Sequence, residues 1–140
     1  MIDEKIIKKL FKLVSKCKKT GDFPVAAIIY KDNKIISYGF NKRNKTKKVT
    51  DHAEIIAINK ANKKLKEPFL TNICMVSSLE PCDMCKSIIK EARLEKVYYL
   101  VESNHIKKPY KRSAFESINL NDLNVEKYTK ELSAFFENKR

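Results

Sequence analysis

Residues 78–85 read SLEPCDMC, and this stretch decides the fold because a strand ends and a helix begins within it. The preceding residues, NICMVSS, have the composition of a short strand. Pro81 favours a helix start, since its missing N–H is not needed in the first turn of a helix. Cys82 and Cys85 follow, and their spacing of three places both sulfurs on one helix face. The stretch therefore predicts a β-strand joined directly to a helix that runs to about Arg93.

A second stretch, DHAE at residues 51–54, lies upstream and opens another predicted helix, from about Asp51 to Lys64. The strands that precede the two helices are predicted to be neighbours, so both helix starts can open at the same end of the sheet. His52 would then lie close to Cys82 and Cys85. The partial positive charge of a helix N-terminus favours the thiolate, which is the form of cysteine that binds metals. The two stretches together predict a metal site.

One histidine and two cysteines supply three protein ligands, whereas structural zinc sites usually have four. A fourth ligand could come from His105, Cys74 or Cys17. Cys74 and Cys17 lie on apolar faces and His105 lies in a polar segment, so a site with an open position is favoured. We expect one zinc per chain, and a zinc with an open position can activate water.

Glu54 follows His52 by two residues, which suits an acid–base group beside the open position better than a further ligand. A structural alternative is that Asp51 caps the helix and Glu54 completes a capping box. Next to a histidine and a P-C-x-x-C motif, the acid–base role is favoured because the combination is more specific than either part. A redox role for the C-x-x-C pair alone is disfavoured, since the surrounding elements lack the thioredoxin-type placement.

The rest of the chain alternates helices and strands. Apolar spacing predicts a first helix over residues 3–19, followed by strands over 24–30 and 34–40 with a turn at KDNK. A basic loop, NKRNKTKK, comes next. Further along, the pattern predicts a strand at KVYYLV and a last helix at VEKYTKELSAFFENKR. The second helix should turn Ala53, Ile56, Ala57 and Leu65 inward, and the last helix Tyr128, Leu132, Phe135 and Phe136. This order predicts one α/β domain over residues 1–140, with a mixed sheet covered by helices on both faces.

The net charge of +13 favours a polyanionic partner such as nucleic acid. Only four of the 30 basic residues are arginine, so an AT-rich coding sequence explains part of the charge equally well. No apolar run reaches the roughly 20 residues needed to span a bilayer. The N-terminus reads as an amphipathic helix without a cleavage site. We therefore expect a cytoplasmic protein with free or metal-bound thiols and no membrane partner.

H-A-E followed by P-C-x-x-C resembles the zinc-dependent cytidine deaminase superfamily. The stretch GDFPVAAIIYKDNKIISYGFNKR is similar to the strand pair of bacterial tRNA adenosine deaminases, and FFENKR is similar to their last helix. The resemblance implies the three-layer α/β/α fold of cytidine deaminases, zinc bound by His52, Cys82 and Cys85, a proton shuttle at Glu54, and contact between Asn41 and the target nucleoside. Asn41 could instead be an ordinary turn residue.

The resemblance also implies a homodimer that converts the wobble adenosine of a tRNA anticodon stem-loop to inosine. Two basic stretches could contact the RNA: Lys42, Arg43, Lys45, Lys47 and Lys48, and Lys107, Lys108, Lys111 and Arg112. Ala26 replaces a glycine usual in the family, and YLVESNHIKKPY replaces a stretch that helps to hold RNA. Two alternatives therefore stay open, namely a deaminase of a free base or nucleoside such as guanine or cytosine, and a zinc-stabilised binding module without catalysis.

Overall fold

The computed structural model describes residues 2–103, 114–117 and 123–139, and its contacts divide the chain into two compact units, Met1–Lys107 and Lys108–Arg140. The first unit contains all four strands and most of the helices. The prediction of a single domain over the whole chain stays a prediction. The elements are α1 (Glu4–Lys16), a 3-10 turn (Cys17–Lys19), β1 (Ala26–Lys31), β2 (Lys34–Phe40), α2 (Arg43–Thr46), α3 (Ala53–Leu65), β3 (Cys74–Leu79), α4 (Asp83–Glu91), β4 (Lys96–Val101) and, in the second unit, α5 (Leu123–Lys139).

The four strands form one mixed sheet in the order β2-β1-β3-β4. Strand β1 pairs antiparallel with both β2 and β3, while β3 pairs parallel with β4. Helix α4 makes the crossover between the two parallel strands, since a parallel pair cannot be joined by a tight turn. The predicted mixed sheet is confirmed, and of the strands that the structure describes, β2 and β4 lie at its edges.

The hairpin between β1 and β2 turns at Asp32 and Asn33, which both have positive φ angles of 51° and 58°. Two successive residues in this region suit the two-residue turns that match the twist of paired strands. Asp and Asn tolerate this conformation better than most residues because their short side chains bond locally. The predicted hairpin at KDNK is therefore confirmed.

Helices cover both faces of the sheet, because β1 is apolar on both sides. Ile28 packs with Leu10 and Leu13 of α1 on one face. Ile29 packs with Ala57 of α3 on the other face, in a cluster that α4 also joins. The predicted three-layer α/β/α architecture is thus confirmed in the first unit.

Gly39 lets α3 approach β2 closely at the end of the helix that carries the predicted site. A Cβ atom placed on Gly39 would lie 2.6 Å from the Ala53 carbonyl oxygen and 2.9 Å from the Ile56 side chain. Both distances are shorter than ordinary contacts, so a side chain here would push the first turn of α3 away from the sheet. This glycine therefore helps to set the position of His52 and Glu54.

The basic stretch after β2 is not only a loop, because residues Arg43–Thr46 form the short helix α2. Its first N–H groups find side-chain acceptors, one nearby in the sequence and one distant from it. The Arg43 N–H donates to the Asn41 side-chain oxygen at 3.1 Å, and the Asn44 N–H donates to the Asp22 carboxylate. These contacts satisfy donors that a helix start leaves open.

Two sets of residues predicted to face inward are exposed instead. Leu65 is 42% exposed, because α3 ends there and Lys66 leaves the helix in a left-handed conformation. Tyr128, Leu132 and Phe135 of α5 are also exposed, and the side chain of Phe136 lies outside the described residues. Within its own unit, the described residues offer α5 no second helix or strand on which to pack.

Among the described residues, no helix combines the length and apolar character that a membrane span requires.

Candidate metal centre

His52 and Cys82 each occupy the N-cap position of a helix, before α3 and α4 respectively. N-cap residues usually bond back to the helix through their side chains. Asp3 does so in α1, where its carboxylate accepts from the Lys5 N–H at 3.0 Å. Neither His52 nor Cys82 makes such a bond. Both helix starts therefore present a ligand atom whose geometry is not tied to capping.

The three predicted ligand atoms lie together. His52 Nδ1 is 3.7 Å from Cys82 Sγ and 3.6 Å from Cys85 Sγ, and all three atoms lie within 4.8 Å of one another. Zinc bonds of about 2.0 Å to nitrogen and about 2.3 Å to sulfur, at a tetrahedral angle, would separate a nitrogen and a sulfur by about 3.5 Å. The donor set and its spacing thus fit zinc, as predicted.

The pKa values of the two cysteines shift in opposite directions, and this favours a thiolate at Cys82. A hydrogen bond from Cys85, together with His52 nearby, lowers the pKa of Cys82 to about 3. The same contact and burial raise the pKa of Cys85. Zinc binds cysteine as thiolate and histidine as the neutral ring, so metal binding would release the protons that these ligands carry.

The two candidates for a fourth ligand that lie within the described residues do not join this cluster. Cys17 is buried beneath α1, where its Sγ donates to the Val25 carbonyl at 3.5 Å. Cys74 lies on β3 and contacts the Glu95 carboxylate at 3.7 Å. His105 lies outside the described residues. Within the part of the chain that the structure describes, the site has three protein ligands, which is the number found in catalytic zinc sites.

Glu54 lies beside the ligands and is only 4% exposed. Burial raises the pKa of its carboxyl, although its own backbone N–H and the Cys85 thiol bond to it. The capping-box interpretation is wrong, since α3 has His52 as its N-cap and Glu54 is the second residue of the helix. A buried carboxyl that does not serve as a cap is suited to proton transfer.

Asn41 is buried at the end of β2, where its side chain holds the turn. Its Nδ2 donates to the Phe23 carbonyl at 3.2 Å, and its Oδ1 accepts from the Arg43 N–H. These bonds agree with the turn alternative. Contact between Asn41 and a substrate stays a prediction.

The first basic stretch lies next to the site. Lys42 donates its N–H to the Asp51 carbonyl at 2.9 Å, one residue before the ligand His52. Arg43 and Lys45 are exposed on α2, and Lys47 and Lys48 are exposed just after it. The second stretch, with Lys107, Lys108, Lys111 and Arg112, lies outside the described residues.

Two carboxylates that position the site were not predicted from the sequence. Glu80 accepts from Lys86 Nζ at 2.8 Å and from the Ser103 N–H at 3.2 Å, which ties the residues before Cys82 to the end of β4. Asp22 accepts from Thr20 and Asn44 and so holds α2 in place. Glu80 directly precedes the P-C motif, and this position in the sequence could have marked it as a residue that holds the site in place.

Comparison with known families gives the same class of protein as the geometry. Residues 1–101, which contain every ligand of the site, match the zinc-binding region of cytidine and deoxycytidylate deaminases. The chain therefore belongs to this deaminase family and is a zinc-dependent hydrolase. The fourth-ligand alternatives and the non-catalytic zinc module are not favoured by this result.

The relatives narrow the class to one branch. The tRNA-specific adenosine deaminase of Buchnera aphidicola subsp. Schizaphis graminum is 33% identical over 129 residues, which cover 87% of this chain and 85% of that protein. The tRNA-specific adenosine deaminase of Aquifex aeolicus is 39% identical, over 56% of this chain and 52% of that protein. By the first of these matches, the chain belongs among the tRNA-specific adenosine deaminases.

Two solved structures of deaminases resemble the chain. One, from work on A-to-I editing by tRNA:A34 deaminases at the wobble position, has a TM-score of 0.66 at 27% identity, covering 69% of this chain and 74% of that one. A guanine deaminase from Bacillus subtilis has a TM-score of 0.79 at 28% identity, covering 100% of this chain and 98% of that one. Both support the predicted fold.

Proposed function

We propose that this protein deaminates adenosine to inosine at the wobble position of a tRNA anticodon. The observation that carries the proposal is the three-ligand centre with buried Glu54 beside it, in a chain whose relatives are tRNA-specific adenosine deaminases. The reaction consumes water, which forms a bond to C6 of the adenine, and breaks the bond from C6 to the amino nitrogen, which leaves as ammonia.

The residues of the chain divide the chemistry among them. His52, Cys82 and Cys85 would hold one zinc, which supplies Lewis-acid activation of water at neutral pH. Glu54 takes the proton of the attacking water and delivers it to the departing amino group. Its burial removes competing solvent from this transfer. Asn41 is the proposed contact to the nucleoside, and its own bonds to Phe23 and Arg43 would fix its position.

The basic stretches are the proposed contacts to the anticodon stem-loop. The first surrounds α2 at the rim of the metal centre, where a flipped-out nucleotide would need phosphates held on both sides. Such contacts release counterions, so binding should weaken steeply with added salt. The second stretch follows β4 in the sequence and is proposed on that ground alone. A tRNA substrate also accords with the cytoplasmic location that we propose.

Incubation of the zinc-loaded protein with tRNA, with an anticodon stem-loop and with free guanine and cytosine tests the substrate. We expect inosine in the RNA at a rate that falls with salt, and no ammonia from the free bases. The guanine deaminase likeness over the whole chain makes guanine the second candidate. Consumption of guanine at a salt-independent rate, with tRNA left unedited, would replace our proposal with that alternative.

We further propose that the protein is a homodimer through α4 and β4. Among the described strands, β4 lies at one edge of the sheet and exposes an apolar run, Tyr98, Tyr99, Leu100 and Val101. Exposed apolar edges commonly pair with another chain. Behind it, an apolar depression between α4 and β4 is lined in part by Ile89 and Val97. Light scattering at micromolar concentration should give the mass of two chains. A monomeric mass would contradict this arrangement.

A further inference from the structure

Lysines from both layers of helices gather around two aromatic rings on the outer edge of the sheet. Lys9 Nζ of α1 lies 4.5 Å from the centre of the Tyr38 ring, and Lys60 Nζ of α3 lies 5.4 Å from it. Two residues along β2, Lys42 and Lys16 approach the Phe40 ring, at 4.7 Å and 5.9 Å. We call these six residues the β2 edge surface.

The positive charge of this surface is not neutralised within the described residues. Two ion pairs are found among the described residues, Lys8 with Glu4 and Lys86 with Glu80. Neither includes any of the four lysines of the β2 edge surface. The pKa of Lys42 is lowered, first by burial and then by the positive charges of Lys60 and of other lysines nearby, although Asp51 opposes them. Four lysine amines that crowd together, with no ion pair to a carboxylate among the described residues, leave the surface suited to bind an anion.

The shape of the surface favours a chain of phosphates over a single one. Lys9 and Lys16 are seven residues apart, which is about 10 Å along a helix. Tyr38 and Phe40 lie on the same side of β2, about 7 Å apart. The surface also continues into Lys42, whose N–H donates to the Asp51 carbonyl beside the metal centre. An RNA whose base occupies that centre would pass over the edge strand.

We propose that the β2 edge surface binds the phosphodiester backbone of the RNA substrate and so extends the recognition site from the rim of the metal centre along the edge of the sheet. This inference rests on the proposed function. A bland alternative is that the lysine stems only cover apolar rings. That alternative predicts no effect on RNA binding when the amines are neutralised and the stems are kept.

The test compares two double variants that each remove two positive charges from α1 and α3. Lys9→Gln with Lys60→Gln removes both amines from Tyr38. Lys8→Gln with Lys63→Gln, the matched control, changes exposed lysines of the same helices for which no ring contact is found. Neither pair includes a residue of the metal centre, so zinc content should be unchanged in both.

Binding of a labelled anticodon stem-loop is measured by fluorescence anisotropy over a range of salt concentrations. The first variant should bind about tenfold more weakly at physiological salt and lose about 1.5 from the slope of log K against log salt. The control should match the wild type. Editing at saturating stem-loop should proceed at the wild-type rate in both variants, because the surface holds RNA and does not touch the reacting base.

Each other outcome overturns the inference. An equal loss of affinity for the stem-loop in both variants would show a general effect of net charge. Unchanged affinity in both variants would mean that the lysine side chains only pack over the aromatic rings. If Lys9→Gln with Lys60→Gln weakened the binding of poly-glutamate and left the binding of the stem-loop unchanged, the surface would instead fit an acidic protein partner. Failure of the wild type to edit any RNA would reject the proposed function itself, a result distinct from normal editing with unchanged binding in the variant.

Discussion

Glu54→Gln is expected to lose nearly all deaminase activity while the protein keeps its zinc. The glutamine has the same shape but cannot take a proton from water and pass it on. General acid–base groups contribute a factor of about 10²–10⁴ to the rate, so kcat should fall by that amount. Glu54 also lies in the buried first turn of α3 beside the thiol of Cys85. Single-turnover kinetics on a stem-loop, with metal analysis of the same sample, measures both quantities.

Glu91→Gln is the matched control, since Glu91 is the last residue of α4 and is exposed. It should retain wild-type turnover. The thermal midpoint of Glu54→Gln should stay close to that of the wild type, because the change removes no packing volume. A Glu54→Gln protein with normal turnover would make this residue a structural one. Loss of zinc with loss of activity would instead make it part of the ligand set.

Cys82→Ala combined with Cys85→Ala should abolish both zinc binding and deamination. Two of the three ligands are removed, and a single histidine such as His52 does not retain zinc in competition with solvent. Apparent binding energies for zinc in small sites with a full ligand set are about 10–16 kcal/mol at pH 7, so the loss should reach the limit of detection. Because metal binding is coupled to folding, the thermal midpoint should fall as well.

Cys74→Ala is the comparison, since Cys74 lies on β3 and contacts Glu95 and not the metal centre. It should keep one zinc per chain and its activity. Metal analysis after gel filtration, with a chelator-treated wild type alongside, checks both variants. Full zinc retention in the double variant would remove Cys82 and Cys85 from the ligand set. Zinc loss in Cys74→Ala would make that cysteine the fourth ligand.

Local sequence patterns predicted most of the sheet and the helices beside it. The alternation of apolar residues gave strand bounds close to β1 and β2, and Asp32 and Asn33 marked their turn. These predictions succeed because a strand pattern and a turn depend on neighbouring residues. The last helix shows the limit of the same reasoning. The helix itself was predicted correctly, but Tyr128 and Leu132, which were predicted to face inward, are exposed, since a pattern does not specify what covers an apolar face.

The sequence by itself determined the chemistry of this protein. A histidine followed by a glutamate, and a proline followed by two cysteines, predict the zinc ligands and the proposed proton carrier, because few other residue types can perform those tasks. What only the tertiary structure decided is how these groups meet. The distances from His52 to Cys82 and Cys85 depend on the packing of α3 against β2 at Gly39, where any side chain would clash. The β2 edge surface likewise joins lysines of α1 and α3 that are far apart in the chain, and only the folded sheet brings their charges together.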